Sequence, residues 1–317
     1  MRAVFLDYET VSNGDLDTTG LTGVMPGLEI YGSTSDSEAA GRIADAEIVL
    51  LNNFALTRTL VHGAKQLKLI ALAATGTDNV DLAAARERAV GVCNVRGYCS
   101  RSVMQQVWSM ILSLTQRLDE FTRLAKNGSW QRNEAFDYFK HPIRELTGLT
   151  FGVVGWGELG RAAAGAAEAF GMRVVVANRP GGPPEPGRFS LDQVLAMADV
   201  VSLHCPLNEA TRGLIGAREL ALMKPDALLI NTARGGLIDS HSLAAALQAR
   251  RLGGAGIDVL PQEPPVDGDP LLDPDIPNLL LTPHVAWAAR EARQRCLDEI
   301  AANVRDFLMG GRRSRVV

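Results

Sequence analysis

Residues 150–163 read TFGVVGWGELGRAA, an apolar strand-like run followed at once by a glycine-rich turn and the start of a helix. The glycines Gly155, Gly157 and Gly160 have G-x-G-x-x-G spacing. Between a strand and a helix, this spacing allows a tight turn, close approach of the backbone to a pyrophosphate, and free N–H groups at the helix N-terminus. A tight strand–helix connection without a ligand is the alternative interpretation. The stretch therefore predicts an α/β fold that binds a dinucleotide at this turn.

The same alternation of short apolar runs and amphipathic helical stretches continues on both sides of the turn. Towards the N-terminus the strand candidates are AVFLD from Ala3, LEIYG from Leu28, EIVLLN from Glu47 and LKLIALAA from Leu67. Towards the C-terminus they are MRVVVAN, DVVSLHCP, ALLINTA, GAGIDVL and NLLLTPH. Strands that alternate with helices indicate parallel sheets. The chain therefore reads as two doubly wound parallel-sheet domains.

One predicted helix is longer than the others and runs from about Ser100 to Lys126. Its apolar residues recur at three- and four-residue steps, and the pair Asn127-Gly128 is a plausible stop. We expect this helix to bridge two domains or to form a subunit interface. The apolar residues are Val103, Val107, Met110, Ile111, Leu114 and Leu118.

Composition and charge exclude several classes of protein. A chain of 317 residues suits two domains, and a net charge of −4 gives no footprint for nucleic acid or an anionic membrane. No apolar run approaches the ~18 residues of a membrane-spanning helix, and the N-terminus lacks the pattern of a signal peptide. The four cysteines show no CxxC spacing, so neither a metal site nor a disulfide framework is expected. These features predict a cytoplasmic protein with reduced thiols.

The end of the strand after the glycine turn bears on cofactor choice. An acidic residue is usual there in NAD-specific sites, whereas this chain has Asn178 and Arg179. A 2′-phosphate would meet no repelling carboxylate, and Arg179 could pair with it. Alternatively, Arg179 stacks over the adenine or faces solvent. The sequence favours NADP(H) and leaves NAD(H) open.

Three polar residues follow later strands, at the edge where open α/β sheets bind ligands: Arg234, Glu263 and His284. Hydride transfer to a 2-keto acid needs a proton donor, a cation for the carbonyl and carboxylate, and a group that keeps the donor charged. A histidine, an arginine and a glutamate meet these needs, since a carboxylate beside an imidazole favours its protonated form. Taken singly, each residue is more often structural or solvated.

Along essentially its whole length the chain resembles the D-isomer-specific 2-hydroxyacid dehydrogenases. The motifs that carry the resemblance, besides the glycine turn, are ATGTDNVDL at Ala74, HCPLNEATRGLI at His204, LLINTARGGLID at Leu228, GIDVLPQEPP at Gly256 and LTPHVAWA at Leu281. The resemblance implies a flavodoxin-like substrate domain, residues 1–98 plus 287–317, and a Rossmann cofactor domain, residues 99–286. It also implies an active-site cleft between them and a homodimer formed through the cofactor domain.

The resemblance also implies roles for residues. Arg234 would bind the substrate, Glu263 would hold the histidine, and His284 would be the acid/base. The loop Thr75, Gly76 and Thr77 would offer N–H groups to the substrate carboxylate, and Asp258 would meet the nicotinamide carboxamide. The residues expected to line the cofactor are Gly155, Gly157, Glu158, Leu159, Gly160, Asn178, Arg179, Cys205, Pro206, Thr211, Thr232, Ala233, Arg234, Asp258, His284 and Ala286.

Details of the motifs are most similar to the glycerate dehydrogenase/hydroxypyruvate-glyoxylate reductase branch. These details are the sequences HVAW at His284, CNVRGY at Cys93 and GELGRA at Gly157. They imply reduction of hydroxypyruvate or glyoxylate to D-glycerate or glycolate. The alternatives are another 2-keto acid, such as 2-ketogluconate or phenylpyruvate, or a non-catalytic NAD(H)-sensing protein like a corepressor. Candidates for shaping the substrate pocket, or equally for core or interface, are Tyr98, Trp130, Phe136 and Phe139.

Overall fold

A computed structural model of the protein describes residues 1–132 and 142–317. The chain divides into two compact units, one formed by Met1–Arg101 with Trp287–Val317 and the other by Ser102–Ala286. Each unit contains one parallel sheet with helices. The α/β fold class with two doubly wound parallel sheets, predicted from the sequence, is therefore confirmed.

The strands and helices lie close to the predicted positions. The strands are β1 Ala3–Phe5, β2 Leu28–Ile30, β3 Ile48–Leu51, β4 Leu69–Leu72, β5 Gly91–Cys93, β6 Thr150–Val154, β7 Arg173–Val176, β8 Val200–Leu203, β9 Leu228–Asn231, β10 Gly254–Ile257 and β11 Leu279–Leu281. The α-helices are α1 Thr19–Val24, α2 Asp36–Ile43, α3 Arg58–Gly63, α4 Leu82–Glu87, α5 Ser100–Gln116, α6 Leu118–Lys126, α7 Glu158–Ala169, α8 Leu191–Met197, α9 Ala217–Leu222, α10 Ser240–Gln248 and α11 Arg290–Leu308.

Strand order places the ligand-binding edge of each sheet. The first unit has the order β2-β1-β3-β4-β5, the flavodoxin-like arrangement, and the second has β11-β10-β9-β8-β6-β7. All pairings between these strands are parallel. The order reverses between β1 and β3 in one sheet and between β6 and β8 in the other. Ligands bind outside the carboxyl ends of the strands at such switch points.

The apolar runs form strands because both faces of each sheet are covered. Every residue of β3, β4, β6, β8 and β9 is buried. Continuous rather than alternating burial is what a parallel sheet between two helical layers requires. The patterns did not predict α1, whose short sequence TGLTGV contains two glycines of low helix propensity.

The single long helix predicted from Ser100 to Lys126 is wrong, because the structure contains two helices there. Arg117 adopts a left-handed conformation with φ of 52° and separates α5 from α6. Its guanidinium donates to the Asn278 side chain, far away in sequence. This tertiary contact stabilises the left-handed residue between the two helices, which the local sequence pattern could not predict. The predicted stop is confirmed, since α6 ends at Lys126 with Asn127 as its C-cap, and Gly128 has φ of +86°.

The apolar stripe of α5 is also not the free interface that the sequence suggested. Val103, Val107 and Ile111 are at most 4% exposed, and Met110 and Leu114 approach glycines of β10. The stripe is therefore used inside its own unit. In contrast, α6 contains no buried residue.

Candidate active site

The glycine turn lies between β6 and α7, beside the point where the strand order reverses. Gly155 has φ of +104°, and a Cβ there would lie 2.5 Å from the His204 carbonyl carbon. A Cβ on Gly160 would lie 2.0 Å from the Gly155 oxygen. Both glycines are thus required by close packing of the turn, with α7 on one side and the end of β8 on the other.

Gly157 is different, because a Cβ there would meet no atom within 4 Å. Gly157 is the N-cap of α7, and within the described chain no side chain caps this helix. The first N–H groups of α7 therefore face an exposed space beside a glycine that packing does not explain. This cradle fits the pyrophosphate of a dinucleotide. Thr232, at the end of β9, adds a buried hydroxyl that has no partner among the described residues.

At the end of β7 the two residues that bear on cofactor choice differ in their surroundings. The Asn178 side-chain oxygen accepts a hydrogen bond from the Glu185 N–H at 2.9 Å, and its own N–H donates to Phe189 O at 2.7 Å. Asn178 thus holds the Pro/Gly-rich loop in place. Arg179 is exposed. Its side chain is accessible to a ligand at this edge.

The loop after β8 is held by its own hydrogen bonds. The Thr211 hydroxyl donates to Pro206 O at 2.7 Å and accepts from the Asn208 N–H at 2.8 Å. Burial raises the pKa of the Cys205 thiol to about 11, which leaves it a poor nucleophile. Burial also lowers the pKa of His204 to about 4, so this imidazole is neutral near pH 7 beside Ser202 at 2.9 Å.

His284 and Glu263 form a direct pair. The His284 Nδ1 lies 2.6 Å from Glu263 Oε2, and the other carboxylate oxygen accepts from the Leu260 N–H at 2.8 Å. Their side chains are 37% and 35% exposed. The pair leaves the imidazole Nε2 for proton exchange with a ligand, because Nδ1 is engaged by the carboxylate.

The electrostatics of Glu263 favour its ionised form. Burial by itself raises the pKa of this carboxyl, but the hydrogen bond and charge of His284, the Leu260 N–H and the charge of Arg234 outweigh it. The net pKa of Glu263 therefore lies below its usual value. Arg234 is thus close enough for its charge to act on the carboxylate, and the structure brings the three predicted residues into one neighbourhood.

Arg234 is positioned by the residues that flank it in sequence. The Asn231 amide donates to Arg234 O at 2.9 Å, and Arg234 itself donates to Ala233 O at 2.8 Å. A Cβ on Gly235 would lie 2.0 Å from the Leu260 carbonyl carbon. The loop after β9 therefore packs directly on the segment that carries Glu263.

The backbone at His284 is strained, and a buried carboxylate holds it in place. His284 has φ of 53°, an uncommon conformation for a residue other than glycine. Its N–H donates to Asp258 O at 2.7 Å. The Asp258 carboxylate accepts from the Thr282 hydroxyl at 2.5 Å and from the N–H groups of Val285 at 3.0 Å and Ala286 at 2.8 Å. Asp258 thus fixes the loop 282–286, which carries the histidine.

The sequence did not predict that Asp258 fixes the loop that carries His284. Its position directly after a buried strand was the only signal, and that signal did not indicate which groups the carboxylate accepts from. Asp258, Ala286, Thr211 and Cys205 are at most 5% exposed. Direct contact of these side chains with a cofactor stays a prediction.

The loop Thr75, Gly76 and Thr77 belongs to the other unit and follows β4. Of the predicted pocket aromatics, Tyr98 is buried in the core of this unit and Trp130 is 66% exposed in the second unit. Phe136 and Phe139 lie outside the described residues.

The described residues contain neither a helix suited to cross a membrane nor a cluster of metal-binding side chains. Within 1–132 and 142–317, none of the helices combines the length and apolarity needed to cross a membrane. The same residues contain no group of three or more histidine, cysteine, aspartate or glutamate side chains that could hold a metal ion.

Taken together, the fold and the site define a dinucleotide-binding α/β enzyme with a histidine–carboxylate pair. The model of the D-isomer specific 2-hydroxyacid dehydrogenase NAD-binding domain matches residues 108–286. The glycerate dehydrogenase of Methylorubrum extorquens is 40% identical over 311 residues, 98% of this chain and 96% of that protein. The hydroxypyruvate reductase of Blautia hydrogenotrophica is 32% identical over 98% of both chains.

Solved structures of similar dehydrogenases have the same fold. The D-lactate dehydrogenase of Aquifex aeolicus in complex with NAD and lactic acid superposes with a TM-score of 0.84 at 27% identity, over 98% of this chain and 96% of that one. The chain belongs to the D-isomer-specific 2-hydroxyacid dehydrogenase family. It is an oxidoreductase that acts on small 2-hydroxy or 2-keto acids with a nicotinamide cofactor, as predicted.

Proposed function

We propose that this dehydrogenase reduces hydroxypyruvate or glyoxylate to D-glycerate or glycolate, and that Arg234, Glu263 and His284 are its catalytic residues. The observation that carries the proposal is the 2.6 Å contact between His284 Nδ1 and Glu263 Oε2, with the Arg234 charge acting on the same carboxylate. The substrate is suggested by the similarity to a glycerate dehydrogenase and a hydroxypyruvate reductase.

The three catalytic residues have different tasks. Arg234 binds the substrate carboxylate and polarises the keto carbonyl. His284 donates the proton from Nε2 to the carbonyl oxygen as it becomes an alkoxide, and Glu263 orients the ring and favours its protonated form. The N–H groups of the loop Thr75, Gly76 and Thr77 hold the carboxylate. When bound, a reduced nicotinamide supplies the hydride to the carbonyl carbon.

We also propose that the cofactor is NADP(H) rather than NAD(H). The support is the exposed Arg179 after β7, together with Asn178 in place of an acidic residue. The 2′-phosphate would pair with the Arg179 guanidinium. The pyrophosphate would lie on the N–H groups of Glu158, Leu159 and Gly160 at the start of α7. Thr232 would give the same ligand its hydroxyl, which has no partner in the part of the chain that the structure describes.

Two further parts of the proposal concern the cell and the assembly. We place the enzyme in the cytoplasm, on the support that Cys93, Cys205 and Cys296 are buried free thiols. We propose a homodimer formed through the second unit, on the support that α6 buries none of its residues within its own chain.

The decisive experiment is a matrix of 2-keto acids against NADH and NADPH, followed by the reduced-nicotinamide absorbance, on the wild type and His284→Ala. We expect the highest kcat/KM on hydroxypyruvate or glyoxylate, and a loss of turnover in His284→Ala of about 10²- to 10⁴-fold, because the proton donor is gone. Cofactor affinity, measured by fluorescence titration, should be nearly unchanged. Unchanged turnover in His284→Ala would rule out the proton-donor role.

A further inference from the structure

The proposed carboxylate loop is tied to the end of β5 by three hydrogen bonds. The Asn94 Nδ2 donates to Thr75 O at 2.6 Å, and the Thr75 hydroxyl donates back to Val95 O at 2.7 Å. The Val95 N–H donates to Ala74 O at 3.0 Å. Asn94 is the one contributor among these that acts through its side-chain amide, and it is 4% exposed.

Asn94 is itself fixed from the opposite side by α11. The Asn303 Nδ2 donates to Asn94 O at 3.0 Å, and Asn303 is only 2% exposed. Its Oδ1 accepts from Arg313 Nε at 3.1 Å. Because a guanidinium has donors only, this bond selects the amide orientation that points Nδ2 towards Asn94. Arg313 is held in turn by Glu299 Oε2 at 2.6 Å.

The segment that carries Arg313 lies along β5 as an antiparallel neighbour. The Val316 N–H donates to Val92 O at 2.8 Å, and the Asn94 N–H donates to Ser314 O at 3.3 Å. Between these bonds, Arg315 and Cys93 form an antiparallel β-bridge. The backbone around Asn94 is therefore bonded on both sides. A buried amide in such a position fixes the orientation of the group that it binds, since the amide cannot rotate without losing its hydrogen-bond partners.

The peptide plane explains why this tether matters for a ligand. Thr75 C=O and Gly76 N–H belong to one planar trans peptide unit and point in opposite directions. The bond from Asn94 to Thr75 O therefore sets the direction of the Gly76 N–H. That N–H is one of the groups proposed to bind the substrate carboxylate.

We infer that Asn94 is the positioning residue of the carboxylate loop, and that Asn303 and Arg313 hold it in the required orientation. The inference rests on the proposed function for the role of the loop. It assigns to Asn94 a specific effect on binding of the keto acid. The cofactor turn, which belongs to the other unit, should be unaffected.

The test is Asn94→Ala in the full-length enzyme. We expect KM for hydroxypyruvate, or for whichever keto acid the wild type turns over best, to rise about fivefold to tenfold, as for loss of one hydrogen bond that orients a binding group. The KM for the cofactor should stay within twofold. Hydrogen exchange of peptides spanning residues 72–78 should be faster. The matched control is Ser12→Ala in the same unit, which removes a different buried polar group, a hydroxyl 3.0 Å from Asp15, and should leave the keto-acid KM unchanged.

Arg313→Ala is the second variant and keeps the test open if Asn94→Ala does not fold. Arg313 is 46% exposed, so the fold should tolerate its loss, and the keto-acid KM should rise about twofold to threefold in the same direction. An unchanged keto-acid KM in the folded variants, with unchanged exchange of residues 72–78, would overturn the inference. If the wild type reduces no keto acid, the proposed function fails, and exchange of residues 72–78 alone decides whether Asn94 positions the loop.

Discussion

At Glu263 two physical effects oppose each other on one carboxyl group. Burial raises its pKa, while the hydrogen bonds with His284 and Leu260 and the charges of His284 and Arg234 lower the pKa by more. A carboxyl whose pKa is lower in the folded protein stabilises the fold above its ordinary pKa, and this contribution is lost as the pH falls through the folded value. Acid therefore removes the stabilisation that the ionised Glu263 carboxylate contributes.

Glu263→Gln should change the pH profile of the reaction. If His284 is the proton donor, as proposed, keto-acid reduction needs its protonated form, and a neighbouring carboxylate favours that form. In Glu263→Gln kcat/KM for reduction should begin to fall at a lower pH than in the wild type. The control is Glu87→Gln, which removes a glutamate 3.3 Å from His62 elsewhere. A profile identical to that of the wild type would show that Glu263 does not set the charge of His284.

Arg179 is the residue on which the proposed preference for NADP(H) depends. If its guanidinium binds the 2′-phosphate, Arg179→Ala should raise KM for NADPH about tenfold and leave KM for NADH within twofold, because NADH lacks that phosphate. Arg251→Ala, at another exposed arginine of the same unit, should change neither value. Equal effects of Arg179→Ala on both cofactors would remove the phosphate-binding role.

The sequence predicted residues whose type and place suffice to name a task. Arg234, Glu263 and His284 follow strands and have side chains suited to proton and anion chemistry. Asp258 and Asn94 could not be assigned in this way, because their tasks depend on partners such as Ala286 and Thr75 that only the fold brings near. A sequence shows donors and acceptors without showing which of them are buried together.

At the scale of elements, the turn from β6 to α7 separates glycines with different tasks. Gly160 is required by the chain itself, because a Cβ would lie 2.0 Å from Gly155 O. Gly157 has open space around it. The G-x-G-x-x-G spacing does not distinguish the two glycines. The structure shows that Gly160 is needed for packing, whereas Gly157 leaves room for a ligand.

Gly157→Ala and Gly160→Ala should therefore fail in different ways. Gly157→Ala should leave Tm within about 2 °C but raise the cofactor KM at least tenfold, because the methyl group occupies the pyrophosphate space. Gly160→Ala should lower Tm, since backbone must move to admit the methyl group. The control is Gly165→Ala, which also has open space on α7 and should raise Tm slightly with no change in KM. Normal cofactor affinity in Gly157→Ala would contradict the proposed pyrophosphate site.

The break between α5 and α6 is a feature that the sequence pattern did not predict. Apolar spacing continues through Leu118, so the local pattern favours one helix. The left-handed residue Arg117 is held by Asn278, which follows α10 and β10 in the chain. Strands were easier to predict because their buried apolar runs are local, as in β8 and β9.

At the scale of the whole molecule, several large apolar side chains of the second unit remain in contact with solvent. Leu118 is 57% exposed, Trp130 66% and Ile143 54%, and α6 buries none of its residues. Exposed apolar groups on an amphipathic helix indicate a surface that another protein covers. A second copy of the chain is the partner that the proposed homodimer provides.

The assembly can be tested by light scattering on the purified enzyme. We expect the mass of a dimer for the wild type and a shift towards the 34.0 kDa monomer for Leu118→Glu and Trp130→Glu, because burying a carboxylate in an apolar interface without a partner is unfavourable. Val266→Glu is the control, since Val266 is 75% exposed on the same unit but far along the chain from α6. Because the proposed cofactor site belongs to one chain, the monomeric variants should still bind cofactor. A monomeric wild type, or dimers in all variants, would show that α6 is not the interface.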